Sequence, residues 1–146
     1  MSRSAIVERP IDPAALIAEV SSPQCGAISV FLGTVRDEND GRAVDGIDYT
    51  AYTAMAEEVL ASIVAEASVR FAVTSIVVEH RIGPLDIGAV SVGIAAAHSH
   101  RGPALESVRF VIEELKVRVP VWKLERYTDG TREWVDPTAR PAEART

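Results

Sequence analysis

The chain has 146 residues, 47% of them hydrophobic and 25% charged, enough for one globular domain that buries a core of its own without crosslinks. A formal net charge of −6 argues against a nucleic-acid binder, yet a local cluster of cations can still hold a small anion inside an acidic protein. The single cysteine, Cys25, excludes an internal disulfide and reads as a small buried side chain in a reducing compartment. With no apolar signal segment in MSRSAIVERPIDP and no run near the ~20 apolar residues of a membrane span, a soluble cytoplasmic protein is expected.

The first element is a short helix over residues 11–20, opened by Asp12 as N-cap and Pro13 at the first helical position. GAISVFLGTV, 26–35, is rich in β-branched and aromatic residues and reads as a strand that delivers Arg36 into a polar, mobile loop, DENDGR at 37–42. A second strand runs over 43–52. Met55, Val59, Leu60, Ile63, Val64 and Ala67 then keep helical spacing and predict an amphipathic helix over about 54–70. A strand over 74–82, a turn at GPLDIG (83–88) and a strand over 89–98, apolar on both faces, follow.

The next helix has Pro103 at its first position and an apolar stripe of Leu105, Val108, Val111, Ile112 and Leu115, and it ends near Lys116. Pro120 forbids continuation, so VPVWKLERY becomes a strand that TDG, 128–130, turns back into TREWV. Hairpin-like connections mixed with crossovers make the class α+β, with a mixed or antiparallel sheet and packed helices. The domain is expected to span 1–135, with 136–146 a polar, disordered tail.

Within LKVRVPVWKLE lie Lys116 and Lys123, the only lysines; the other thirteen basic residues are arginines. An arginine stays protonated in a protein, whereas a lysine amine can be desolvated, deprotonated and used in acid/base or nucleophilic chemistry. Seven residues apart, the two would lie two turns apart on one helix, but Pro120 puts them on different elements. They can meet only if the fold closes them together. As a simple alternative, Lys116 complements the C-terminal end of the helix dipole and Lys123 faces solvent beside Trp122.

Two further basic sites stand out. GTVR, 33–36, places Arg36 at a strand end, and HSHRGP, 98–103, places His100 and Arg101 before a helix N-terminus, where free N–H groups favour an anion. Together with the lysines these sites describe a phosphate pocket. His98 and His100 share a face of an extended strand and His80 could be a third ligand, but no cysteine cluster or HExxH supports a metal, and none is expected. Nucleotide-binding and α/β-hydrolase glycine motifs are likewise missing.

Five segments in register, GTVR, DYTAYTAMAEE (48–58), HRIGPLDIG (80–88), HR with the ALES helix (100–107) and LKVRVPVWKLE, resemble the large, catalytic subunit of molybdopterin synthase. The resemblance covers about residues 26–135 and implies an α+β fold with a hammerhead-like portion. It implies conversion of cyclic pyranopterin monophosphate to molybdopterin, with sulfur supplied by the C-terminal Gly-Gly thiocarboxylate of a small ubiquitin-like subunit. The implied assembly is a heterotetramer built on a dimer of large subunits, with no further cofactor.

By position, the resemblance implies catalytic roles for Lys116 and Lys123. It assigns substrate binding to Thr34, Val35, Arg36, His100, Arg101, Lys116, Lys123, Leu124 and Glu125, with His100 and Arg101 reaching across the dimer. Members of that family often carry a basic residue where Thr34 stands and an aromatic where Val121 stands. Two readings of other classes stay open: a non-catalytic module that docks a ubiquitin-like tail, and a stand-alone phosphate-ester enzyme using His100 as acid/base.

Overall fold

The computed structural model describes residues 2–135. Along the chain run β1 (Ser2–Val7), α1 (Pro13–Val20), β2 (Ala27–Thr34), β3 (Glu38–Asn39), β4 (Arg42–Ala51), α2 (Thr53–Phe71), β5 (Ser75–Arg81), β6 (Gly83–Asp86), β7 (Val90–His98), α3 (Arg101–Arg118), β8 (Val121–Tyr127) and β9 (Arg132–Val135). This is the expected α+β class. One sheet has the order β1-β5-β7-β2, antiparallel except for the parallel β1–β5 edge, and the second runs β3-β4-β8-β9 with β6 also on β4. Among the described residues no helix is long and apolar enough to cross a membrane.

β5 and β7 are apolar on both faces because both are covered. Alternate residues point to opposite sides of a strand. Val77, Ala95 and Ala97 thus meet Leu16 and Val20 of α1, while Ile76, Val78, Val92, Ile94 and Ala96 meet Leu60, Ile63 and Val64 of α2 and Val108, Val111 and Leu115 of α3. Gly93 is small for a reason: a Cβ there would sit 2.7 Å from Leu16 Cδ1. The same alternation puts two polar residues of β5 into the interior. Glu79 turns toward the α1 side, where Arg3 and Arg9 reach it at 2.7 and 2.9 Å. His80 turns the other way and is 5% exposed.

The structure departs from the sequence reading at several places. The N-terminal strand β1 was not anticipated; it is an edge strand whose pattern is too short to stand out. The loop expected to be mobile is a hairpin. β3 and β4 pair Asn39 with Arg42 around Asp40 and Gly41, whose φ values of 51° and 78° are those of a two-residue turn that Asp-Gly favours. GPLDIG contains β6, which pairs with β4 and needs the positive φ of Gly83 to leave β5.

Helix α3 begins at Arg101 with His100 as N-cap, so Pro103 stands third, still within the first turn where its missing N–H costs nothing. Leu105 and Met55 are exposed rather than part of the stripes, whose inner faces are filled instead by Ala104 and Ala56. Cys25 is half-buried, its sulfur accepting from the Ser22 hydroxyl at 3.3 Å. The expected tail, 136–146, lies outside the described residues.

Burial holds the His80 imidazole down to about 4, and the Lys116 charge acts in the same direction, against the hydrogen bond that the ring donates to the Arg81 carbonyl. An unfolded histidine titrates near 6.5, so as pH falls the unfolded chain takes up the proton first and stability declines. Urea unfolding at pH 7 and pH 5 should differ by about 2 kcal/mol from this group alone. The buried carboxylates lose their stabilisation only at lower pH, because their folded values are depressed. His80→Gln should abolish most of the difference between pH 7 and pH 5.

Candidate active site

Pro120 turns the end of α3 into β8. Val119 closes the helix through its N–H to the Leu115 carbonyl, 3.1 Å, and the chain is extended from Val121. Lys116 therefore stands in the last turn of α3, where a cation suits the carbonyl end of the helix, and Lys123 stands on β8. Strand alternation sends Val121, Lys123, Glu125 and Tyr127 to one side of β8 and Trp122, Leu124 and Arg126 to the other. In register with the first set, Tyr49 and Ile47 of β4 face Lys123 and Glu125, and Val135 and Glu133 of β9 flank them.

These residues form one wall of a cleft of about 400 Å³. The opposite wall comes from the end of the other sheet, with Phe31, Gly33 and Thr34 of β2 and Ser91 of β7. Lys116 and Lys123 both line the cleft, and Arg36 stands at its mouth. Its charged lining comprises three cations, Arg36, Lys116 and Lys123, and four carboxylates, Glu38, Asp40, Glu125 and Glu133. Counting alone would make it acidic. Glu38, Asp40 and Glu133 are exposed at the rim, however, whereas Glu125 is buried and both lysines are only partly exposed. The interior is thus where the amines gather, and screening by water weakens the rim.

Glu125, 2% exposed, is held from several sides. The Tyr127 hydroxyl donates to Oε1 at 2.7 Å, the Asn39 amide donates to both oxygens at 2.9 and 3.0 Å, and Lys123 Nζ stands 3.5 Å from Oε2. Burial pushes the Glu125 carboxyl up, but the bonds from Tyr127 and Asn39 and the Lys123 charge outweigh it and hold it below the usual carboxylate range. Tyr127 is moved up by burial and by its bond to Glu125, so it stays a donor. Arg42 stacks over the Tyr127 ring at 3.5 Å. Asn39 in turn accepts from Arg36 Nη2 at 3.3 Å, which connects the β3–β4 hairpin to the mouth of the cleft.

Of the residues expected at the site, Thr34, Arg36, Lys116, Lys123 and Glu125 line one cleft. Val35 does not: it is 3% exposed and packs with Val44, Ile47, Leu85 and Tyr127 in a small core behind the wall. Leu124 points to the far side of β8. His100 and Arg101 are exposed at the N-terminus of α3, fifteen residues from Lys116, which is about 22 Å along a helix. Within one chain they cannot share the cleft with the lysines. The His100 N–H donates to His98 Nδ1 at 3.0 Å, and His80 lies at the other end of the sheet, so the three histidines do not converge. Among the described residues no group of three or more His, Cys, Asp or Glu could hold a metal ion.

Asn39, Tyr49, Ser91 and Tyr127 also line the cleft and were not singled out from the sequence. Two of them were accessible to it. Alternation from Lys123 reaches Glu125 and Tyr127, and the Asp-Gly turn predicts the hairpin that carries Asn39. Tyr49, moved up by burial, and Ser91 depend on strand pairings that no local pattern announces.

A family model described as MoaE protein matches residues 6–118. The molybdopterin synthase catalytic subunit of Bacillus subtilis (strain 168) is 39% identical over 135 residues, 92% of this chain and 85% of that protein. The protein of the same name from Aspergillus clavatus is 38% identical over 136 residues, 93% of this chain and 69% of that protein. A crystal structure of molybdopterin synthase from Staphylococcus aureus is similar with a TM-score of 0.84 and 36% identity, covering 90% of this chain and 95% of that one. The match of the family model to most of the chain, together with these similarities in sequence and fold, shows that the chain belongs to the MoaE protein family.

Proposed function

We propose that this chain is the catalytic subunit of a molybdopterin synthase, a cytoplasmic enzyme of molybdenum cofactor synthesis, and that it acts as a sulfurtransferase. It converts cyclic pyranopterin monophosphate to molybdopterin with sulfur from the C-terminal thiocarboxylate of a small ubiquitin-like subunit. The observation that carries this reading is the meeting of the chain's only two lysines, from α3 and β8, in one cleft. Its volume suits a small ligand, since such sites typically span about 300–1,000 Å³.

Sulfur transfer from a thiocarboxylate builds negative charge on the acyl oxygen and on the groups that leave, and the pterin brings a phosphate of its own. Fixed cations in a site with little water stabilise both at no cost of reorganisation. Lys116 orients the incoming thiocarboxylate, and Lys123, held by Glu125, handles proton and charge at the pterin. Arg36 anchors at the mouth. His100 and Arg101 serve the phosphate from a second copy of the chain, an arrangement that their separation from Lys116 within one chain requires if they serve this site at all.

Of the other readings, a phosphate-ester enzyme based on His100 has little support, because His100 is exposed and lies outside the cleft. A module that only docks a tail would leave two amines and a buried carboxylate in the cleft with no chemistry to do.

With thiocarboxylated small subunit and cyclic precursor, Lys116→Arg and Lys123→Arg should each lower kcat by about a hundredfold, the lower end of what a proton-transferring group contributes. Dithiolene formation measured at near-normal rates in both variants would remove the catalytic assignment. Mixing chains that carry Lys116→Ala with chains that carry Arg101→Ala tests the second-copy arrangement. Random pairing should restore about a quarter of wild-type turnover, since half the dimers are mixed and one of their two sites is intact. A mixture no more active than the parent variants would place Arg101 outside the partner's site.

A further inference from the structure

The cleft already described leaves one buried titratable group unused. His80 lines a second, smaller cavity of about 30 Å³ together with Tyr49, Lys116 and Lys123, the rest of its wall being aliphatic. The Tyr49 ring meets the imidazole edge to face, with 5.2 Å between centroids, and so restricts how the imidazole can turn. Tyr49 and both lysines also line the main cleft, so the small cavity lies directly behind the catalytic groups.

The protonation of the ring follows from its neighbours. His80 Nδ1 stands 3.0 Å from the Arg81 carbonyl oxygen. A carbonyl can only accept, so Nδ1 carries the hydrogen. Burial keeps the ring neutral at pH 7, with its pKa held down to about 4. A neutral imidazole protonated at Nδ1 has a lone pair at Nε2, its one remaining polar function. The ammonium groups that share its cavity are those of Lys116 and Lys123; the charge that acts on the imidazole is that of Lys116, while Lys123 stands 3.5 Å from Glu125.

We propose that His80 is a positioning residue for Lys116: its Nε2 lone pair accepts a hydrogen bond from the Lys116 ammonium and sets the direction in which that amine enters the main cleft. This rests on the sulfur-transfer reading of the site and adds to it a division between the two lysines. A carboxylate in the position of His80 would orient Lys116 but cancel its charge, as Glu125 does in part for Lys123. A neutral acceptor fixes the amine and leaves its full charge for the acyl oxygen.

Two substitutions separate this role from simple packing. His80→Asn places an amide nitrogen where Nδ1 lies, keeping the bond to Arg81 and losing the Nε2 acceptor. His80→Gln places its amide near Nε2, keeping the acceptor and losing the bond to Arg81. With thiocarboxylated small subunit and cyclic precursor, His80→Asn should lower kcat about tenfold or more, with KM for the pterin changed less than about twofold, and His80→Gln should stay within about threefold of wild type.

In the free chain, without substrate, an N-hydroxysuccinimide ester reports the amines directly by mass spectrometry of the modified peptides. The ratio of Lys116 to Lys123 labelling should shift about threefold or more in His80→Asn and stay near wild type in His80→Gln. Equal kcat and an unchanged ratio in both variants, or losses that follow the fall in Tm rather than the acceptor, would overturn the proposal. A wild-type chain with no thiocarboxylate-dependent turnover would instead defeat the functional reading, and the labelling ratio would then decide the role of His80 alone.

Discussion

Glu125 gives up nearly all contact with water on β8, and an ionised carboxylate without partners would lose several kcal/mol on such burial. Its partners therefore have to be in place, two from β8 itself and one from the β3–β4 hairpin. Tyr127 comes from the same strand two residues on, Asn39 from the β3–β4 hairpin, and Lys123 from the strand's own cleft side. Satisfying one carboxylate thus fixes the end of β8, closes the hairpin over the cleft and holds one of the two lysines. Arg42 stacked on Tyr127 and Arg36 bonded to Asn39 extend the same network outward to the mouth. The cleft is organised around a negative charge although its proposed substrates are anions.

Pro120 is the second constraint. By ending α3 it makes seven residues of sequence span a helix end and a strand, and the antiparallel register of β8 with β4 then brings Lys123 opposite Tyr49. The two amines approach the cleft from different elements and in different company: Lys123 beside a carboxylate, Lys116 beside a buried neutral imidazole. A helical pair two turns apart could not have had such different surroundings. The burial of His80 also couples the site to stability, since the ring that lies behind Lys116 belongs to the core packed beneath α2 and α3.

Much of this could be read from residues alone, where the physics is local. Asp12 and Pro13 announce α1, the 3.6-residue spacing announces α2 and α3, and Pro120 separates the lysines without any knowledge of the fold. The convergence of Thr34, Arg36, Lys116, Lys123 and Glu125 required the resemblance to a family, because strand pairing over 80 residues leaves no local mark. Val35 and Leu124 belong to those motifs by sequence, but Val35, just past β2, packs into the small core behind the wall, and alternation along β8 turns Leu124 away from the cleft. DENDGR was legible in part: Asp-Gly is a hairpin signal, but two flanking residues make too short a strand to outweigh the polar composition. His80 was visible only as a histidine, since its role depends on burial from α2 and α3 and on a cavity formed by four separate elements.

The proposed chemistry requires one placement, that pterin and thiocarboxylate meet between the end of α3 and β8. The crystal structure of this chain with the cyclic pterin and the small subunit bound measures it directly. The tail's terminal carbonyl and the pterin should lie together in that cleft, within about 3 Å of the Lys116 and Lys123 amines, the reach of a charge-assisted hydrogen bond. A pterin bound away from both lysines, or a tail ending elsewhere on the surface, would contradict it.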